Sequence, residues 1–217
     1  MSDRIIVDSV FLRFRSHEVL KGVHLNVHPN QITGLIGRNG CSKSSFLKVI
    51  TGQIEPQSKL IKYQGRKIDQ LYKERALVNY LPQHVFHPKS LRNSRLLSLY
   101  GITAESFFTT YPFLQQYERT KFGEMSGGEK RLFEVLMILE SASRFSILDE
   151  PFTHVMPKHV ELIKERITAL KTRKGIVLTD HQYDNVLAVA DSLHLISDGT
   201  IRKVEEREDL IAFGYLR

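Results

Sequence analysis

The chain has 217 residues, 41% hydrophobic and 25% charged, with a formal net charge of +7 and a single cysteine. That length suits one domain or two small lobes around a sizeable core, and one cysteine excludes an intrachain disulfide and fits a reducing compartment. No apolar run approaches the roughly 20 residues of a membrane helix, the N-terminal residues lack signal-peptide anatomy, and the spread of positive charge is compatible with nucleic acid, an anionic membrane face or a plain solvated surface.

Residues 4–14 and 23–28 alternate apolar and polar side chains and predict two antiparallel strands, joined across the polar residues 15–18 and Gly22. Phe14 closes the first strand, either packed in the core or exposed. Pro29 and Asn30 turn the chain into a third strand at 32–36. The run Gly37-Arg38-Asn39-Gly40-Cys41-Ser42-Lys43-Ser44-Ser45 follows, and a helix from Ser44 stops at Gly52. Strand, glycine-rich loop and helix together make a phosphate-binding loop, in which backbone N–H groups and a helix N-terminus surround an anion. Lys43 would neutralise the β- and γ-phosphates and the Ser44 hydroxyl would hold Mg²⁺. Ser42 breaks the pattern, because the residue before that lysine is normally glycine. The same N–H groups should favour the Cys41 thiolate, the alternative being that Cys41 is a small filler in the loop.

Strands are predicted at 60–63, before a Gln64-Gly65 turn, and at 77–81, before Pro82-Gln83. Residues 84–124 are rich in aromatics and leucine without alternation and read as a small helical lobe, its aromatics serving its own core or a partner surface. Ser126-Gly127-Gly128-Glu129 then opens a helix carrying Leu132, Val135, Leu136 and Leu139 on one face. Ser126 and Glu129 fit a capping box. Two glycines in the first turn cost helix stability unless another group approaches closely, which marks a second phosphate-contacting site. The strand at 145–149 ends in Asp149-Glu150-Pro151, where Asp149 is placed to coordinate Mg²⁺ and Glu150 to orient or deprotonate water. A helix at 158–170 and a strand at 175–179 lead to Asp180-His181, again at a strand end. A hairpin around Asp198-Gly199 and a charged tail helix close the chain.

In this order the loop at 37–45, Gln83, the Ser-Gly-Gly-Glu stretch, the acidic strand and His181 resemble the nucleotide-binding domain of ABC-type ATPases over almost the whole chain. The resemblance implies an α/β P-loop fold, with an N-terminal antiparallel β subdomain and an inserted helical subdomain. Residues 1–83 and 145–217 would form the core, and about 84–144 the helical and signature lobe. It implies ATP and Mg²⁺ as ligands: Phe14 stacks on adenine, residues 37–45 hold the phosphates, and Ser44, Gln83 and Asp149 serve the metal. Glu150 is then the catalytic carboxylate, His181 touches the γ-phosphate, and Gln83 links the site to a membrane partner. Ser126, Gly127, Gly128 and Glu129 would close over ATP held by a second ATPase subunit, identical or not. A lone ATPase domain resembles the separate subunits that work with transmembrane permeases, on the cytoplasmic, inner face of the cell membrane, with no nucleic acid expected. Glu150-Pro151-Phe152 and Thr179-Asp180-His181 are reminiscent of lipopolysaccharide-export and branched-chain amino-acid importer ATPases. Met156 stands where the family carries aspartate, so Ser42 and Met156 together predict slow turnover. The alternatives are a degenerate module that holds nucleotide with little hydrolysis, or a soluble ABC ATPase acting on nucleic acid or ribosomes.

Overall fold

Residues 3–74 and 76–215 are described in a computed structural model; Met1 and Ser2, part of the N-terminal reading above, lie outside them. Strand β1 (Ile5–Phe14) pairs antiparallel with β2 (His17–Val27), Phe14 facing His17 across a turn at Arg15, whose φ is 54°. The second strand therefore begins six residues before the predicted 23. It is an edge strand, so His17 and Glu18 can face water without cost, and Glu18 accepts from Arg13 at 2.6 Å.

Strand β3 (Ile32–Ile36) is buried throughout, and α1 (Lys43–Thr51) follows its loop. That helix buries Phe46, Leu47, Val49 and Ile50 and ends where Gly52 turns left-handed at φ 87°, its N–H on the Val49 carbonyl at 3.1 Å. Strands β4 (Ser58–Tyr63) and β5 (Arg66–Lys67) flank Gln64-Gly65, both at positive φ, as a tight hairpin requires. After β6 (Val78–Leu81) come the short helices α2 (Asn93–Leu99) and α3 (Ala104–Thr110), 3-10 turns at Pro112–Tyr117 and Phe122–Glu124, and α4 (Gly127–Glu140). Strand β7 (Phe145–Asp149), α5 (Pro157–Leu170), β8 (Gly175–Thr179), α6 (Tyr183–Leu187), β9 (Ser192–Ser197), β10 (Thr200–Val204) and α7 (Arg207–Ala212) complete the chain. The five-residue α6 escaped the sequence reading because it is too short to show a period.

One sheet is antiparallel, in the order β2-β1-β4-β5; the other runs β10-β9-β3-β8-β7-β6, with only β10 antiparallel to its neighbour. One apolar core lies between the two sheets and takes in α1, with Phe46, Leu47, Leu35 and Phe145 among its members. The other covers the opposite face of the parallel sheet and unites α4, α5 and the 96–122 aromatics. Of those aromatics Phe107, Phe108, Tyr111 and Phe122 are buried, Phe107 packing on Phe133 of α4 with centroids 5.3 Å apart. Phe86, Leu99 and Phe113 stay exposed, so this segment supplies both a core and a surface. Because β3, β6, β7, β8 and β9 point one way, the segments after them gather along one edge, where ligands of open α/β sheets bind.

Candidate functional site

The loop after β3 is shaped by close approach. A Cβ on Gly37 would stand 2.5 Å from both the Cys41 Sγ and the Ile196 carbonyl oxygen, so only glycine fits. Ser42 occupies φ 80° and ψ 18°, the left-handed region that glycine enters freely. Its hydroxyl makes no capping bond to α1, leaving first-turn N–H groups for an anion. Lys43 is buried and donates to the Gly37 carbonyl at 2.8 Å and the Arg38 carbonyl at 3.2 Å, folding its ammonium back over the loop. Arg38, Asn39 and Gly40 are exposed, whereas Cys41, Ser42, Ser44 and Ser45 are half-buried. The Cys41 expectation is overturned. Burial pushes its thiol up and outweighs Lys43, whose Nζ lies 3.8 Å from the sulfur, so the thiol form is favoured.

A cavity of about 490 Å³ beside the loop is lined by His17, Lys21, residues 38–42 and the tail at 213–215. Phe14 is 49% exposed and pairs with His17, which lines this cavity, although Phe14 itself does not. Arg38 donates to the Gly214 carbonyl at 2.6 Å, tying the tail to the loop.

Across the loop, Asp149 ends β7 fully buried, accepting from the Ser44 hydroxyl at 3.0 Å and from the Tyr80 hydroxyl at 3.2 Å. Burial raises the Asp149 pKa, and those two bonds offset part of the shift. Glu150 is held at φ 53°, its N–H on the Thr179 carbonyl at 2.8 Å, which fixes the end of β7 to the end of β8. Its carboxylate accepts from the Thr153 hydroxyl at 3.2 Å and lies 3.5 Å from His181 Nδ1. Gln83 sits half-exposed two residues beyond β6, and Arg131 braces its neighbourhood. The buried Arg131 guanidinium donates to the carbonyls of Pro82 at 2.7 Å, Asp149 at 2.7 Å and Glu150 at 2.8 Å, joining two strand ends from α4.

Ser126 caps α4 as predicted: its N–H donates to Glu129 at 2.8 Å, and its hydroxyl accepts from the Glu129 N–H at 3.4 Å. The Tyr117 hydroxyl donates to the same carboxylate at 2.6 Å and helps hold the Glu129 pKa down. The two glycines have different reasons. A Cβ on Gly128 would come within 3.0 Å of the His154 carbonyl oxygen, whereas one on Gly127 would meet nothing, so only Gly127 faces open space. None of residues 126–129 lines the cavity beside the loop, so within one copy this stretch stands apart from that cavity.

The sequence reading missed Tyr80, Arg131, Thr153 and Asp180. Asp180 is buried and accepts from the N–H groups of Phe152 at 3.2 Å and Gln182 at 3.0 Å. Only Asp180, an acid directly after β8 and beside His181, left a signal in the sequence.

The family model described as "ABC transporter" matches residues 20–153. A lipopolysaccharide export system ATP-binding protein, LptB, of Acidithiobacillus ferridurans is 28% identical, covering 97% of this chain and 93% of its own. A probable branched-chain amino acid transport ATP-binding protein, LivF, of Archaeoglobus fulgidus is 26% identical over 87% of this chain and 86% of its own. The solved structure of an ATP-binding subunit of an ABC transporter superposes with a TM-score of 0.83 at 23% identity, over 97% of this chain and 93% of that one. A nucleotide-free ATP-binding cassette gives 0.78 at 22% identity, over 96% and 94%. These last two establish the fold.

Proposed function

This chain belongs to the ABC transporter family, and from that premise we propose that it is an ATP-binding subunit that hydrolyses ATP to drive a substrate across a membrane. The observation that carries the reading is the Ser44–Asp149 contact at 3.0 Å, in which groups 105 positions apart meet at the mouth of the phosphate loop. Their hard oxygens, with Gln83 on the adjoining segment, suit Mg²⁺. When bound, that ion neutralises charge on the β- and γ-phosphate oxygens. Lys43 would exchange the Gly37 and Arg38 carbonyls for phosphate, residues 37–45 would donate backbone N–H groups, and Phe14 would stack on adenine. Glu150 would orient the attacking water and accept its proton, while His181 donates to the γ-phosphate.

Because the Ser126-Gly127-Gly128-Glu129 stretch stands apart from the cavity beside the loop within one copy, the second contact to ATP is assigned to a second ATPase subunit in a head-to-tail pair. A groove of about 620 Å³ lined by Tyr72, Pro82, Phe86, Leu91, Leu99 and Tyr100 is the assigned seat of a permease segment. Its apolar lining and its place beside Gln83 support that assignment. Among the described residues no helix is long and apolar enough to cross a membrane. By likeness to the ATP-binding subunits of membrane transporters, the chain would sit peripherally, on the cytoplasmic face.

In the complex with its membrane partner, Glu150→Gln is expected to lower steady-state ATP turnover by at least about 100-fold. Unchanged turnover would remove the role given to Glu150. A nucleotide-holding module with little hydrolysis is the second reading, favoured by Ser42 in a left-handed conformation.

A further inference from the structure

We infer that Thr153 is a positioning residue, whose hydroxyl decides which ring nitrogen of His181 carries the proton and, with it, whether Glu150 is held or free. The inference rests on the roles given above to Glu150 and His181. Its starting point is the surroundings of His181 Nδ1. Thr153 Oγ1 lies 3.3 Å away, Asp180 Oδ1 3.3 Å and Glu150 Oε2 3.5 Å. Three oxygens converging on one nitrogen call for an N–H there. The neutral ring then has a bare Nε2, which repels a phosphate oxygen instead of donating to it.

Two of the three oxygens are carboxylate and can only accept. Asp180 is further committed, its oxygens accepting from the N–H groups of Phe152 at 3.2 Å and Gln182 at 3.0 Å. Thr153 alone can reverse its role. In the structure its hydroxyl donates to Glu150 Oε2 at 3.2 Å, leaving the oxygen to accept from Nδ1–H. Rotated, the same hydroxyl donates to a bare Nδ1. The ring proton then sits on Nε2, where it faces a phosphate oxygen, and Glu150 loses a donor and is free to accept from water. One ring proton is lost to solvent and one regained from it, and one hydroxyl turns. The His181 side chain is 38% exposed, so solvent reaches it. A triphosphate that needs a donor at Nε2 thus releases the catalytic carboxylate.

The test is ¹⁵N NMR of ring-labelled histidine, with the His181 signals assigned by their loss in His181→Asn. Wild type is expected in the Nδ1–H form when free and in the Nε2–H form with a non-hydrolysable ATP analogue and Mg²⁺. Thr153→Ser should behave alike. Thr153→Val should keep Nδ1–H in both states, bind the analogue more weakly than wild type and lose about tenfold in kcat. A valine variant that changes form as wild type does, or a free wild type already in the Nε2–H form, would overturn the assignment to Thr153. Analogue that binds while His181 does not change removes this proposal alone. Analogue that does not bind wild type removes the reading of the nucleotide site, and the proposal with it.

Discussion

At Ser42 the backbone takes φ 80°, where a Cβ costs an ordinary residue roughly 1–2 kcal/mol. Glycine would avoid that cost but lose about 0.5–1 kcal/mol through the greater freedom of its unfolded chain. Ser42→Gly is therefore expected to stabilise the protein by up to about 1 kcal/mol in urea unfolding. If strain in the loop limits the cradle, ATP turnover should rise with it. A substantial wild-type rate that Ser42→Gly leaves unchanged would dispose of the low-hydrolysis reading. The residues of the loop were legible because a strand, glycines and a helix start are local signals. The partners of those residues were not. Tyr80 meets Asp149 across 69 positions and Arg131 meets it across 18, and no spacing rule within one element announces such contacts. Cys41 misled for a related reason: helix N-termini favour thiolates, but burial decides here, and the chain alone does not display it.

At the scale of elements, α5 starts on Pro157 at its first position but without a side-chain cap. Met156 is its N-cap residue, in an extended conformation at φ −65° and ψ 144°, 57% exposed and offering no side-chain acceptor to the first turn. Aspartate at that position would accept from a first-turn N–H and face the positive end of the helix. Met156→Asp is thus expected to raise stability by about 1 kcal/mol, or a melting temperature some 2–4 °C higher for a domain of this size. No change in melting would mean that the helix start is satisfied some other way. The contrast with α4 is instructive. There the Ser126–Glu129 box was readable from spacing alone, whereas Gly128 was credited to an incoming anion and answers at least partly to the His154 carbonyl of its own chain.

The whole molecule carries a pH dependence that its motifs do not foretell. His194 on β9 is pushed down to about 4, chiefly by burial and then by Lys203, and its Nδ1 has no hydrogen-bond partner among the described residues. Folded, the ring stays neutral down to that pH, while the unfolded chain binds a proton near 6.5. Protons taken up by the unfolded state alone weaken the fold, so stability is retained above 6.5 and falls as pH drops from 6.5 towards 4. His194→Gln should remove about 1 kcal/mol of the loss between pH 7 and pH 5, after allowance for the ring's partial exposure. Equal losses in both proteins would show that other groups set the acid limb.

All of this is arranged around one claim, that the loop between β3 and α1 grips a triphosphate. Calorimetric titration of ATP with Mg²⁺ into the wild-type chain and into Lys43→Ala tests it most directly. Saturable binding to wild type and at least a tenfold loss in the variant are expected, in keeping with removal of a charge-assisted contact of about 1.5–3 kcal/mol. Equal affinity in the two proteins would contradict it.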